Sequence, residues 1–93
     1  MTEPEARLTA YLTGTVQGVG MRWWIRARAL ELGLSGFAAN LADRKVQVVA
    51  EGPRDRCEAL LGMLRADAGP GRILSVVEEW GTAGGAYDTF RER

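Results

Sequence analysis

Gly14-Thr15-Val16-Gln17-Gly18-Val19-Gly20-Met21-Arg22 is the junction between two kinds of periodicity. Before it, Leu8, Ala10, Leu12, Gly14 and Val16 alternate with Thr9, Tyr11, Thr13 and Thr15, the spacing of a strand with one buried face. After it, Met21, Trp24, Ile25, Ala29 and Leu32 fall on one helical face, while Arg22, Arg26 and Glu31 point elsewhere. Gln17 to Gly20 is therefore a turn, and Arg22 stands where a helix begins. Backbone N–H groups at a helix N-terminus attract anions, and a guanidinium adds charged donors at the same spot. A cation there also opposes the helix dipole, at a cost of a few tenths of a kcal/mol or more. A bound anion would relieve both. The same glycines suit a tight β–α connection in which they supply positive φ; Arg22 tilts the reading towards a site for phosphate or a similar oxyanion. The stretch is not a Walker A loop, because no Gly-Lys-Ser/Thr ends it. Nor is it a dinucleotide fingerprint, since Trp23 stands where a third glycine is needed.

Working outward, Gly33 and Leu34 follow the first helix in the form of a Schellman stop. Strands are predicted at Ser35–Asn40 and Val46–Glu51, with Asp43-Arg44 in the turn between them. Gly52-Pro53 opens a second helix with Pro53 in its first turn, and Cys57, Leu60, Leu61, Leu64 and Ala68 form its apolar stripe. Gly69-Pro70-Gly71 ends it. A fourth strand is predicted at Ile73–Trp80, a flexible loop at Gly81–Gly85 and a short edge strand at Tyr87–Phe90. The order β-α-β-β-α-β places two helices on one face of a mostly antiparallel sheet. This is an α+β, ferredoxin-like sandwich with a short extra edge strand near the C-terminus. Residues 1–93 read as a single domain.

Twelve basic residues balance twelve acidic ones, so the formal net charge is zero. Binding nucleic acid through bulk charge relies on an excess of Lys and Arg, and that class is disfavoured. So is base stacking on the central strands: Val46–Glu51 has no aromatic residue and the first strand has only Tyr11. The single cysteine, Cys57, excludes an internal disulfide, a Cys-x-x-Cys motif and a cysteine-rich zinc site. The chain has no histidine, which removes the commonest metal ligand and the commonest general base. Met1 to Arg7 does not resemble a signal peptide, and no stretch approaches a membrane span. A soluble cytoplasmic monomer is the expectation.

Among the remaining candidates, Asn40 ends a strand just before a turn, where Asn is common for local reasons. Its amide can also hold a water by donating and accepting at once. Cys57 lies on an apolar stripe without a basic neighbour and reads as a buried, inert thiol. Core packing is expected for both Trp23 and Trp24, with Trp23 at the edge of the stripe. Glu78 and Glu79 are adjacent in a strand and so face opposite ways.

Taken together, Gly14–Arg22, then Gly36-Phe37-Ala38-Ala39-Asn40-Leu41-Ala42-Asp43, Val46-Gln47-Val48-Val49-Ala50-Glu51-Gly52 and Gly69-Pro70-Gly71 resemble the acylphosphatase family over about residues 7 to 80. The resemblance implies the same βαββαβ fold and hydrolysis of acyl phosphates to a carboxylate and inorganic phosphate, without a metal. By position it implies that Arg22 binds the phosphoryl group and that the backbone amides of Gln17, Gly18, Val19, Gly20, Met21 and Arg22 complete a cradle. It implies that Asn40 orients the attacking water. The partners are then a small acyl phosphate and its phosphate product, with neither nucleic acid nor membrane. Three positions depart from the family pattern. Met21 stands where an aromatic is usual, and Ala39 where a basic or polar residue is frequent. Arg44 stands where Gly often follows the aspartate, which predicts a changed turn near Asn40. Met21 is a tolerable core exchange, but Ala39 and Arg44 leave open an alternative, a non-catalytic module of the same fold that binds phosphate as a regulatory anion.

Overall fold

A computed structural model describes residues 5–93. The chain forms β1 (Glu5–Thr15), α1 (Met21–Glu31), β2 (Ser35–Asn40), β3 (Val46–Pro53), α2 (Arg54–Arg65), β4 (Arg72–Thr82) and β5 (Phe90–Glu92). The strands make one sheet in the order β4-β1-β3-β2-β5, antiparallel except for the β2–β5 pair. Alternation within the strands decides which face is covered. Leu8, Ala10 and Leu12 of β1, Val46, Val48 and Ala50 of β3 and Ala38 of β2 enter one core with Met21, Ile25 and Ala29 of α1 and Cys57, Leu60, Leu61 and Leu64 of α2. Both helices thus lie on one face of the sheet. Among the described residues, no helix is long and apolar enough to cross a membrane.

Helix α1 stops as its sequence signals. Gly33 takes φ 71, and the Leu34 amide donates to Ala29 O at 2.9 Å. Helix α2 ends earlier than its glycines suggest. Asp67 itself adopts the left-handed conformation (φ 54), and the Asp67 and Ala68 amides close onto Leu64 O and Met63 O. Ala68 consequently leaves the stripe and is exposed. Pro53 ends β3 and caps α2 instead of entering its first turn. Strand β4 is longer than predicted, Arg72–Thr82, and meets β1 through an irregularity at Thr13/Gly14. The last strand is Phe90–Glu92 rather than Tyr87–Phe90, because Phe90 is fully buried and pairs beside Gly36. Tyr87 stays outside it, its ring 5.8 Å from that of Phe37.

Cys57 is buried, as expected. Its sulfur lies 3.7–3.9 Å from the carbonyl oxygens of Ala6, Ala50 and Gly52, and burial pushes the thiol pKa up to about 11. Trp24 packs partly buried against the core, but Trp23 is 61% exposed, contrary to the expectation of core packing. Adjacent helical residues point about 100° apart, so one tryptophan had to leave the stripe. Glu78 and Glu79 do face opposite ways. Glu78 binds Arg65 of α2 and the Trp80 indole N–H, each at 2.5 Å, while Glu79 borders the open sheet face.

The strands pack closely enough at Gly36 that a Cβ there would stand 1.9 Å from Val49 O, on a backbone with φ 138. Gly36→Ala is therefore expected to lower stability by about 2 kcal/mol or more in urea melts. Gly81→Ala, where an added Cβ meets nothing within 4 Å, is expected to stay within about 0.5 kcal/mol of wild type.

Candidate functional site

Three apolar side chains anchor the turn between β1 and α1. Val16 and Met21 are buried, and Val19 packs against the same core. The residues between them are held out towards solvent: Gly18 and Gly20 are exposed. Both glycines take left-handed conformations, φ 74 and φ 80, while Val19 between them does not. Alternation of hand along successive residues turns their N–H groups to one side and forms an anion-binding concavity. Among the described residues, no backbone carbonyl accepts from the amides of Gly18 to Trp23; the first amide so paired is Trp24, bonded to Gly20 O at 3.0 Å. These are the orphan donors that every helix start carries.

The start of α1 lacks the usual compensation. Gly20 caps the helix without a side-chain hydrogen bond, and its first turn contains no acidic residue. The corresponding turn of α2 contains Asp55. Arg22, half-buried, adds a positive charge to the already positive end of α1. Its Nη1 donates to the backbone oxygen of Arg93 at 2.5 Å. The Arg93 amide in turn donates to Ala38 O at 2.8 Å. The guanidinium is thereby drawn towards the strand whose last residue is Asn40.

Gln17 ties the same region from the other side. Its amide nitrogen donates to Leu41 O and to Lys45 O, both at 2.9 Å. Those carbonyls flank the turn that follows Asn40, so Gln17 ties the glycine turn to the β2–β3 turn. Asn40 is exposed at the end of β2, opposite Val46. A depression of about 350 Å³ lined by Gly14, Thr15, Val16, Gln17 and Arg44 opens beside the turn. The structure therefore brings Gln17–Arg22 and Asn40 to the same end of the sheet. It also shows two neighbours that sequence spacing did not reveal, the Gln17 side-chain amide and the Arg93 backbone oxygen. Among the described residues there is no cluster of three or more His, Cys, Asp or Glu side chains that would hold a metal.

Residues 8–92 match the family model described as Acylphosphatase. The chain belongs to the acylphosphatase family. It is 57% identical over 91 residues to an acylphosphatase of Mycobacterium sp. (strain JLS), covering 98% of this chain and 97% of that one. It is 60% identical over 90 residues to an acylphosphatase of Streptomyces coelicolor, with 96% and 97% covered. The structure of an acylphosphatase from Coxiella burnetii superposes with a TM-score of 0.87 at 34% identity, covering 97% of this chain and 94% of that chain. Relationship at this level over the full length makes this an acylphosphatase-type hydrolase, and its ferredoxin-like sheet and helices are those of the family.

The three departures from the acylphosphatase pattern take these places in the structure: Ala39 is half-buried in β2, opposite Gln47. Met21 fills a buried core position. Arg44 takes φ 69, the conformation that a glycine adopts without strain, and its turn stays closed through Arg44 N to Leu41 O (3.2 Å) and Leu41 N to Lys45 O (2.8 Å). Arg44 thus carries local backbone strain in the turn that follows Asn40. Gly20 is the sharper constraint, since a side chain there meets nothing within 4 Å but must sit at φ 80. Gly20→Val is expected to cost about 1–2 kcal/mol of stability, read in urea melts, from conformational strain alone.

Proposed function

We propose that this acylphosphatase hydrolyses acyl phosphates at the glycine turn, with the backbone amides of Gln17, Gly18, Val19, Gly20, Met21 and Arg22 and the Arg22 guanidinium binding the phosphoryl group. Asn40 orients the attacking water. One observation carries this reading: an uncapped helix start whose amides converge through alternating backbone hand, with a guanidinium added beside them.

The chemistry suits a chain with no histidine. An acyl phosphate expels a carboxylate, whose conjugate acid has a pKa of roughly 4. That group departs without being protonated at neutral pH, so no general acid is required. Two tasks remain, to stabilise charge on the phosphoryl oxygens and to place a water in line with the breaking bond. Amides and Arg22 perform the first and Asn40 the second. The water oxygen bonds to phosphorus as the bond from phosphorus to the acyl oxygen breaks. The carboxylate leaves with the electron pair, and the proton from water passes to the phosphate. The cradle answers to the phosphoryl group, which suits a broad range of acyl groups. The same reading takes the 93 residues as one domain that acts as a cytoplasmic monomer on a small molecule, with neither nucleic acid nor membrane as partner.

Three outcomes are expected with a small aryl acyl phosphate as substrate. Arg22→Ala lowers kcat/KM by about 100-fold or more and abolishes competition by phosphate, with the circular dichroism spectrum unchanged; near wild-type turnover would overturn the assignment. Asn40→Ala lowers kcat while phosphate still competes. Loss of phosphate competition as well would mean that Asn40 shapes the turn instead of placing water. Activity persists in EDTA, because the charge stabilisation comes from Arg22 and the backbone; loss with EDTA and rescue by a divalent cation would contradict this.

A further inference from the structure

Glu51 is the one charged residue buried among the described residues, 4% exposed, and neither the phosphate cradle nor Asn40 touches it. In β3, Val46, Val48 and Ala50 face the helices, so Gln47, Val49 and Glu51 face the opposite side of the sheet. Four hydrogen bonds and ion-pair contacts engage the carboxylate. Arg7 Nε and Nη2 reach Oε2, each at 2.6 Å; the Gly84 amide donates to Oε2 and the Gly85 amide to Oε1, each at 3.1 Å. Burial pushes the carboxyl pKa up, but the bonds from Gly84, Arg7 and Gly85 and the Arg7 charge outweigh it and hold the group below the usual carboxylate range.

Gly84 and Gly85 lie in the segment 83–89, which has a demanding course. It leaves β4 at one edge of the sheet and must enter β5 at the other, passing β1, β3 and β2. It is fastened at the start by Ala83 N to Glu5 O (3.3 Å), in the middle by Glu51, and at the end by Gly36 N to Thr89 O (3.0 Å). Beyond β5 the chain reaches Arg93. The Arg93 guanidinium stacks over Phe37 at 4.0 Å, and Tyr87 of the same strap flanks that ring. The Arg93 backbone oxygen accepts the bond from Arg22.

We infer that Glu51 is a positioning residue for Arg22: by clasping the Gly84 and Gly85 amides it sets the strap, and the strap sets the Arg93 backbone oxygen that aims the guanidinium. The inference rests on the assignment of Arg22 to the phosphoryl group. An Arg22 side chain without a fixed acceptor samples more rotamers and loses more freedom when an anion binds. Phe90, fully buried, keeps the fold in place when the clasp loosens; what the loosened strap frees is Tyr87, whose ring lies against Phe37 and 5.8 Å from the Arg93 guanidinium, and with it the setting of Arg93.

The test uses Glu51→Gln, which keeps shape and one acceptor oxygen but removes the charge, read well below the melting temperature. Hydrogen exchange at the Gly84 and Gly85 amides is expected to accelerate by about tenfold or more. The dissociation constant for inorganic phosphate is expected to rise by about three- to tenfold, with KM rising more than kcat falls. In an Arg22→Lys background the same substitution is expected to have no further effect on phosphate. Looser amides with unchanged phosphate affinity, or equal weakening in the Arg22→Lys background, would make Glu51 a stabilising residue only and overturn the inference. Should Glu51→Gln fail to fold, Gly85→Val is read in its place. It strains the strap at φ 72, where a Cβ meets nothing within 4 Å, and the same outcomes apply. A wild-type protein that binds phosphate no better than Arg22→Ala would instead refute the site itself, so the two failures are distinguishable.

Discussion

A helix must begin with backbone amides that no carbonyl of its own can satisfy. Natural helices usually meet this need with a Ser, Thr, Asp or Asn cap or an acidic first turn. Helix α1 has neither, and it adds Arg22 to the same end. That accumulation of donors and positive charge is the constraint on which the remaining arrangement depends. The turn is exposed, which leaves these donors open to water or to an anion. The alternating hand of Gly18, Val19 and Gly20 aims the donors, and buried Val16 and Met21 keep the aim fixed.

The rest of the molecule holds that turn against its neighbours. Gln17 joins it to the carbonyls of Leu41 and Lys45 around the turn after Asn40. The Arg93 backbone draws Arg22 towards β2. Behind these contacts stands a sheet whose central strands, β1 and β3, are paired on both sides and carry the fully buried residues Leu8, Leu12, Val46 and Val48. A rigid sheet end carrying two turns and one guanidinium suits a reaction that needs positioning and electrostatics rather than proton transfer from a side chain.

Much of this was readable from local pattern. Alternation at Leu8–Val16 and helical spacing at Met21–Leu32 establish the β–α junction, and the same reasoning finds every element in order. What escaped depends on partners distant in sequence or on conformations that composition does not betray. Gly69-Pro70-Gly71 looks like the stop of α2, but Asp67 adopts the left-handed conformation first and exposes Ala68. Trp23 and Trp24 are equally apolar, and only the azimuth of α1 separates the exposed ring from the packed one. Tyr87 has strand propensity, yet its ring packs on Phe37 and pairing begins at Phe90. At the site, Arg22 and Asn40 carried visible signals, a cation at a helix start and an amide at a strand end. Glu51 carried none, because a glutamate ending a strand is ordinary until its bonds to Gly84 and Gly85, more than thirty residues away, are seen.

The proposed function requires that an oxyanion seat on the amides of the glycine turn. A titration of isotopically labelled protein with inorganic phosphate, followed by amide and arginine side-chain chemical shifts, tests it most directly. Saturable shifts are expected to concentrate at the amides of Gln17 to Arg22 and at the Arg22 guanidinium, with Asn40 and the turn after it responding next. Saturable shifts elsewhere, such as the open sheet face beside Tyr11, Gln47 and Tyr87, with the glycine turn silent, would contradict it.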